Sequence, residues 1–117
     1  MKLPNRDRAI VPEAKVTSYL LDVEHENGRG KAVFFIHFGF SVAKWEVLAQ
    51  ALIRHADEHE IVKQEVTRFG TRYVIEGTLQ TPNQRTPQVR SVWFIPKDKQ
   101  EPRLTTAYPL KELYDDD

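Results

Sequence analysis

The spacing of the apolar residues changes near residue 60, and this change restricts the folds that the chain can adopt. Before it, Val42, Trp45, Leu48, Leu52 and Ala56 recur every three or four positions, which places them on one face of a helix. After it, apolar and polar residues alternate, as they do in strands with one buried face. The sequence therefore predicts an α+β fold, with N-terminal helices packed on a sheet.

Three helices are predicted in the helical part, which covers about residues 12–58. Their predicted ranges are 12–22, 31–38 and 42–58. Gly39 and Ser41 suit the end of the second helix and the start of the third. We expect the third helix to be continuous and to bury Trp45, Leu48 and Leu52 against the sheet.

Four strands are predicted in the second part, at about residues 60–108. Their predicted ranges are 61–69, 72–79, 89–95 and 103–108. The turns between them are short, whereas parallel neighbours need long crossovers, so we expect a four-stranded antiparallel meander. Residues 111–117 are expected to form a frayed acidic tail. The whole chain, residues 1–117, has the length of a single domain.

Composition excludes several classes of site. The chain has no cysteine, so it has no disulfide, no thiolate metal site and no cysteine nucleophile. It lacks a signal-like N-terminus and any apolar run long enough for a bilayer, so we expect a cytoplasmic protein or a released domain, without membrane contact. The formal net charge is zero, which argues against a dedicated binder of duplex DNA.

The zero net charge hides a small asymmetry. Three of the 17 acidic residues are Asp115, Asp116 and Asp117, so the remaining chain carries 17 basic and 14 acidic residues. This excess of positive charge permits a phosphate ligand without requiring one.

His25 is the first candidate for chemistry. It lies in a polar loop with Gly28 and Gly30, between the first two predicted helices. An exposed imidazole in such a loop can act as a general acid or base. The alternative is a solvated surface histidine, flanked by Glu24 and Glu26, without a catalytic role.

The other histidines are weaker candidates. His37 lies on an apolar run, where we expect it to be packed or half-buried. His55 and His59 are four positions apart, which is a spacing that can hold zinc. The sequence between them does not match a metalloprotease motif, and cations near a helix C-terminus interact favourably with the helix dipole. We therefore expect no metal site and no cofactor.

Arginine, threonine and tyrosine residues are spread over the predicted strands. They are Arg68, Thr71, Arg72, Tyr73, Arg90, Arg103, Thr105, Thr106 and Tyr108. Simple alternation puts Leu104 and Thr106 on one face and Thr105 on the other. Arginines on a solvent-facing sheet surface are ordinarily solubilising. Guanidinium, hydroxyl and phenol groups on one face also suit a ribonuclease, and composition leaves both interpretations open.

Short motifs along nearly the whole chain resemble an uncharacterised bacterial domain family. They are KLPN, AIV, YLL, GRGKAVFF, GF, VRSVWFI and RLTTAYP. More distantly, a helix, a loop histidine, a GxxKA-like helix start and a final strand reading TAYP resemble the barnase, EndoU, colicin and RelE-like ribonuclease superfamily, whose members are common as toxin domains.

The superfamily resemblance implies helices packed on a four-stranded antiparallel sheet and metal-independent RNA cleavage. The histidine would be the acid or base, the lysine and one arginine would stabilise the phosphorane charge, and the threonine and tyrosine would position the phosphate. The site residues that it implies are His25, Lys31, Arg72, Arg90, Thr106 and Tyr108.

Two functions follow from these observations. The first is a small metal-independent endoribonuclease of toxin type, which cleaves RNA by 2′-hydroxyl attack and is held by an antitoxin or immunity protein. The second is a non-catalytic protein-binding module, such as an immunity or accessory factor, that holds its partner on the sheet face or edge. The sequence leaves open whether the chain is an enzyme.

Overall fold

The structure is a computed structural model of the chain, and it describes residues 1–110. The predicted acidic tail, residues 111–117, lies outside the described residues. Helix α1 is α-helical over Glu13–Lys15 and π-helical over Val16–Leu20. The other helices are α2, Arg29–His37, and α3, Trp45–Glu58. The strands are β1, Ile61–Thr67; β2, Gly70–Thr78; β3, Gln88–Pro96; and β4, Arg103–Pro109.

The strands form one antiparallel sheet in the order β1-β2-β3-β4. The predicted α+β fold, with helices packed on a four-stranded antiparallel sheet, is therefore confirmed. The turn between β1 and β2 is tight and requires glycine at position 70. Gly70 has a φ of 152°, and a Cβ atom there would lie 2.3 Å from the carbonyl oxygen of Ile95. Only glycine avoids both the strained backbone and this contact.

The core lies between the helices and one face of the sheet, which we call the inner face. Its largest fully buried side chains include Phe35 of α2, Leu48 and Leu52 of α3, and Trp93 of β3. The expectation that Trp45 is also buried is wrong, because this side chain is only half-buried at the edge of the core.

The third predicted helix is not one continuous α-helix. It begins with a 3-10 turn over Val42–Lys44, and the α-helix starts only at Trp45. The Ser41 hydroxyl accepts a hydrogen bond from the Lys44 N–H at 3.3 Å, so Ser41 is a helix cap, as predicted. A cap that closes the tighter turn leaves Val42 exposed.

None of the helices in residues 1–110 is by itself long and apolar enough to cross a membrane, although α2 and the 42–58 segment pass that test as a pair bent by 76°.

His55 lies in the last turn of α3, as predicted, but it is buried and its pKa is lowered, whereas the sequence predicted a cation near the helix C-terminus. Its Nε2 lies 3.1 Å from the Gly77 carbonyl and 3.0 Å from the Val89 carbonyl, and its Nδ1 lies 2.9 Å from the Ser91 hydroxyl. Carbonyls only accept hydrogen bonds, so Nε2 carries the proton and Nδ1 accepts from Ser91. The Trp93 indole N–H in turn donates to Ser91 at 2.9 Å.

In residues 1–110 no cluster of three potential metal ligands is present.

Strand β4 contains an irregularity that changes the predicted faces. Thr106 pairs with Val92 and Leu104 pairs with Trp93, so Thr105 is an extra residue in β4. A bulge of this kind shifts the alternation by one position. Leu104 therefore faces the core, while Thr106 lies on the opposite face of the sheet, and the prediction that they share a face is wrong.

Candidate active site beside the outer sheet face

The sheet face that points away from the core, here called the outer face, carries a set of polar side chains. In the register of the strands Arg90 is flanked by Glu76 of β2 and Tyr108 of β4. The Arg90 Nε–H donates to Glu76 at 2.7 Å, and its Nη1–H donates to the Tyr108 hydroxyl at 3.1 Å. These two hydrogen bonds, to Tyr108 first and then to Glu76, raise the pKa of Arg90. Arg90 is thus a fixed cation in the middle of the outer face.

A second polar group lies where α1 and α2 meet the edge strand β4. The Lys31 ammonium donates a 2.5 Å hydrogen bond to the Tyr19 phenol oxygen, and this oxygen lies 3.3 Å from the Thr106 hydroxyl. Lys31 Nζ is also 4.8 Å from the centre of the Tyr19 ring and 5.8 Å from that of Tyr108. Lys31 therefore links the Tyr19 phenol to the residues of the outer face.

The environment of Tyr19 favours ionisation of its phenol. Partial burial alone raises the pKa of Tyr19, but this effect is outweighed by the hydrogen bonds to Lys31 and Thr106 and by the positive charges of Lys31 and Lys15. The net result is a lowered pKa of Tyr19. A phenolate beside a lysine can accept a proton, and we call these two residues the Tyr19–Lys31 pair.

His25 is held by the loop that contains it. Its Nδ1 accepts hydrogen bonds from the N–H groups of Asn27 and Gly28, both at 3.0 Å, and its ring packs edge-on against Tyr19 at 5.0 Å. The predicted exposed imidazole is instead half-buried, because these contacts draw it against α1. With Nδ1 occupied by two donors, a neutral ring carries its proton on Nε2.

Glycine at position 28 allows this loop to approach α1. A Cβ atom there would lie 2.4 Å from the carbonyl oxygen of Tyr19. The backbone N–H of Gly28 is one of the two donors to His25. The loop, the imidazole and the phenol are therefore positioned by one close backbone contact.

Three adjacent clefts join the two polar groups. The first, of about 570 Å³, is lined by residues that include Lys15, Tyr19, His25, Asn27 and Thr106. The second, of about 410 Å³, is lined by Asn27, Gly30, Lys31, Tyr108 and Pro109. The third, also of about 410 Å³, is lined by residues that include Lys63, Arg72, Glu76, Arg90 and Tyr108. Neighbouring clefts share Asn27 or Tyr108, so together they form one extended surface, which we call the groove.

The sequence-predicted site residues reach the groove to different degrees. His25, Lys31, Thr106, Tyr108 and Arg90 are connected through the contacts described above. Arg72 lies at the far end, where its guanidinium donates to Glu65 at 2.8 Å.

Sequence reasoning missed two residues of the groove, Tyr19 and Glu76. The apolar spacing places Tyr19 on the stripe of the first helix, and no motif singles out Glu76. A tyrosine on such a stripe generally needs a polar partner for its hydroxyl when it is buried, which is the signal that the sequence offers.

A larger, mostly apolar cleft of about 720 Å³ lies between α2 and the segment before β3, and it adjoins the groove at Gly30. Its lining includes Phe34, His37, Phe38, Arg85 and Pro87. His37 is exposed rather than packed or half-buried as predicted, because it lies on the solvent side of the last turn of α2. Among the described residues, the lining of this cleft contains no proton donor paired with an acceptor, so it is a weaker candidate for catalysis.

Comparisons with known proteins identify a family and a structural likeness. The family described as "Domain of unknown function (DUF6883)" matches residues 2–111. No curated protein matches the chain. A chain in the solved structure of a contact-dependent growth inhibition toxin–immunity protein complex from Klebsiella pneumoniae 342 has a similar fold, with a TM-score of 0.68 and 17% identity. The match covers 87% of this chain and 100% of that chain.

Proposed function

We propose that this chain, which belongs to the DUF6883 family, is a small endoribonuclease of toxin type that cleaves RNA without a metal ion. The observation that carries the proposal is the Tyr19–Lys31 pair, a proton acceptor hydrogen-bonded to a cation where two clefts of the groove adjoin. The likeness to a chain of a toxin–immunity complex supports a role in a toxin system, and the groove supports an extended substrate that carries phosphates. RNA provides both the phosphates and a 2′-hydroxyl nucleophile.

The proposed reaction uses the Tyr19–Lys31 pair for both proton transfers. The Tyr19 phenolate takes the proton of the 2′-hydroxyl while the 2′-oxygen attacks phosphorus. The bond from phosphorus to the 5′-oxygen breaks, and the Lys31 ammonium gives that oxygen a proton. The products are a 2′,3′-cyclic phosphate and a 5′-hydroxyl. Proton transfer from the phenol to the lysine amine, along their hydrogen bond, restores the starting state.

The remaining residues act on the phosphate or position the phenolate. The Nε2–H of His25 and the hydroxyl of Tyr108 donate hydrogen bonds to phosphate oxygens, and Arg90 stabilises the developing charge. The Thr106 hydroxyl has a single proton, which it donates to the Tyr19 phenolate, so Thr106 positions the phenolate. This assignment differs from the sequence hypothesis, which made His25 the acid or base. Protonation of Nδ1 would oppose the two N–H groups that point at it, so the geometry favours a hydrogen-bond donor at Nε2.

The test is cleavage of a panel of end-labelled RNAs by the purified chain in the presence of EDTA. We expect Tyr19→Phe to lower the rate by about a hundredfold or more, the range for loss of positioned proton transfer. Tyr73→Phe is the matched control, because Tyr73 is buried on the inner face. A 2′-deoxy substitution at the cleaved position should abolish the reaction. Equal rates for wild type and Tyr19→Phe would contradict the mechanism.

The non-catalytic binding module is the second candidate. The structural likeness is to a chain of a complex that contains both a toxin and an immunity protein, so the fold supports either role. If purified wild-type protein leaves every RNA of the panel intact, the binding module becomes the better proposal. Binding to a co-encoded toxin, with protection of that toxin's substrate, would then be the assay.

A further inference from the structure

Strand β1 has a free edge. At the opposite side of the sheet, the N-terminal segment covers part of β4, with Ile10 N–H donating to the Pro102 carbonyl and Leu104 N–H donating to the Ile10 carbonyl. Among the strands that the structure describes, β1 pairs with β2 only. Within residues 1–110, the one backbone hydrogen bond that β1 makes outside this pairing is from Ile61 N–H to the Met1 carbonyl. The rest of this edge is available to another strand.

Exposed apolar side chains lie along this free strand and its turn. Val62 is 55% exposed, Val66 is 77% exposed, and Phe69 in the following turn is 67% exposed. Every residue of β1 after Ile61 is exposed. Scattered exposed apolar residues are ordinary on protein surfaces, but three of them beside an unpaired strand edge are typical of a site for strand addition.

The sequence of β1 is complementary to itself in the antiparallel direction. If two copies pair with Gln64 opposite Gln64, then Lys63 of each copy faces Glu65 of the other. Both side chains lie on the outer face, since Lys63 pairs with Val74 and Glu65 pairs with Arg72 in the β1–β2 register. Opposite charges at facing positions of adjacent strands stabilise their pairing, and a two-fold axis produces this favourable pair twice.

We infer that β1 is the site at which a second copy of this chain binds, forming a continuous eight-stranded sheet across the two-fold axis. The lysine in β1 supports a second copy over an unrelated strand, because a lysine on an edge deters any strand that does not place an acid opposite it. The neighbouring register, with Glu65 opposite Glu65, brings like charges together and is disfavoured.

The irregularity at the start of β1 limits the length of this interface. The register between β1 and β2 shifts between Ile61 and Lys63, and a bulge bends the strand and ends regular pairing. Regular pairing is therefore centred on Lys63, Gln64 and Glu65. An interface of this length gives a dimer that dissociates on dilution.

Charge reversal tests the predicted register. We expect Lys63→Glu alone and Glu65→Lys alone to weaken dimerisation by at least about tenfold, because each places like charges at both facing positions. An equimolar mixture of the two variants should form a heterodimer, since the two acidic side chains of one copy then face the two lysines of the other. The variant that carries both substitutions should regain the wild-type association. Sedimentation velocity over a concentration series measures all of these samples, and thermal unfolding verifies that each variant is folded.

A single introduced cysteine gives an independent measurement. The chain has no cysteine, so Gln64→Cys can form a disulfide only between copies. Facing residues of antiparallel strands have Cα atoms about 4.5 to 5.5 Å apart, which is within the range that a disulfide bridges. Glu46→Cys, at an exposed position of α3, is the control and should remain unlinked under mild oxidation.

Two results would overturn the inference. The first is a wild-type chain that sediments as a monomer at every concentration, together with a Gln64→Cys variant that forms no disulfide between copies. The second is a wild-type dimer that survives both single charge reversals, because it would then use another surface. Neither result depends on RNA cleavage, so the proposed activity and the dimer are tested separately.

Discussion

Acidification should destabilise the protein through one buried histidine. Desolvation by burial lowers the pKa of His55 to about 4, with a smaller contribution from the charge of His59. The hydrogen bonds to the Gly77 and Val89 carbonyls act in the opposite direction but do not compensate. In the folded state a proton on Nδ1 would also oppose the hydrogen bond that Ser91 donates there.

The sign and size of the effect follow from the two pKa values. An unfolded histidine has a pKa of 6.5, whereas His55 in the folded state has a pKa of about 4. Between these values the unfolded chain binds the proton more readily, so stability falls as pH drops below 6.5 and levels off below pH 4. Each pH unit between these two values lowers the free energy of unfolding by about 1.36 kcal/mol, so the full loss is about 3 kcal/mol. Roughly 2 kcal/mol of it is expected by pH 5.

Urea unfolding at pH 7.5 and pH 5.0 measures this loss as a change in the free energy of unfolding. Wild type should lose about 2 kcal/mol over this interval. His55→Gln, which cannot titrate, should be less stable at pH 7.5 but should lose much less on acidification. His37→Gln removes an exposed histidine and should retain the wild-type loss. If wild type and His55→Gln show the same pH dependence, the buried neutral histidine is not its source.

Three further outcomes are expected. His25→Ala should lower the melting temperature, because it removes the acceptor of two backbone N–H groups. An exposed histidine would instead leave the melting temperature unchanged, and that result would contradict the loop geometry. Gly70→Ala should lower the free energy of unfolding, measured in urea, by about 1 to 3 kcal/mol, because the added Cβ atom would clash with the Ile95 carbonyl. Lys31→Met should slow RNA cleavage, and its defect relative to wild type should shrink as salt rises if Lys31 also contacts phosphate; a Lys44→Met control should have no effect on cleavage.

Periodicity predicted α3 because this helix buries one face, and a buried face leaves a repeating apolar pattern. Strand β1 was predicted from the alternation of residue types, although every residue after Ile61 is exposed. The antiparallel order followed from the short turns. Periodicity did not predict the extra residue Thr105, since a bulge is a local departure from the period and leaves no composition signal of its own. Thr106 consequently lies on the face that carries Arg90.

The site was predicted only in part because its contacts are not local in sequence. The burial of His55 depends on carbonyls of two strands that lie far along the chain. The role of Tyr19 depends on Lys31 and Thr106, which approach it from a different helix and from the last strand. Spacing along one helix cannot report such partners, so it places Tyr19 on the apolar stripe and His55 at the helix end.

The separation in sequence between the parts of the groove has a consequence for biosynthesis. Tyr19 and Lys31 are 12 residues apart, whereas Tyr19 and Thr106 are 87 residues apart. Contacts between nearby residues form early, and those that close long loops form late. While the chain emerges from the ribosome, the Tyr19–Lys31 pair can form before β4 exists, but the phosphate-facing side of the groove cannot. The groove is therefore complete only after β4 has been translated and has left the ribosome.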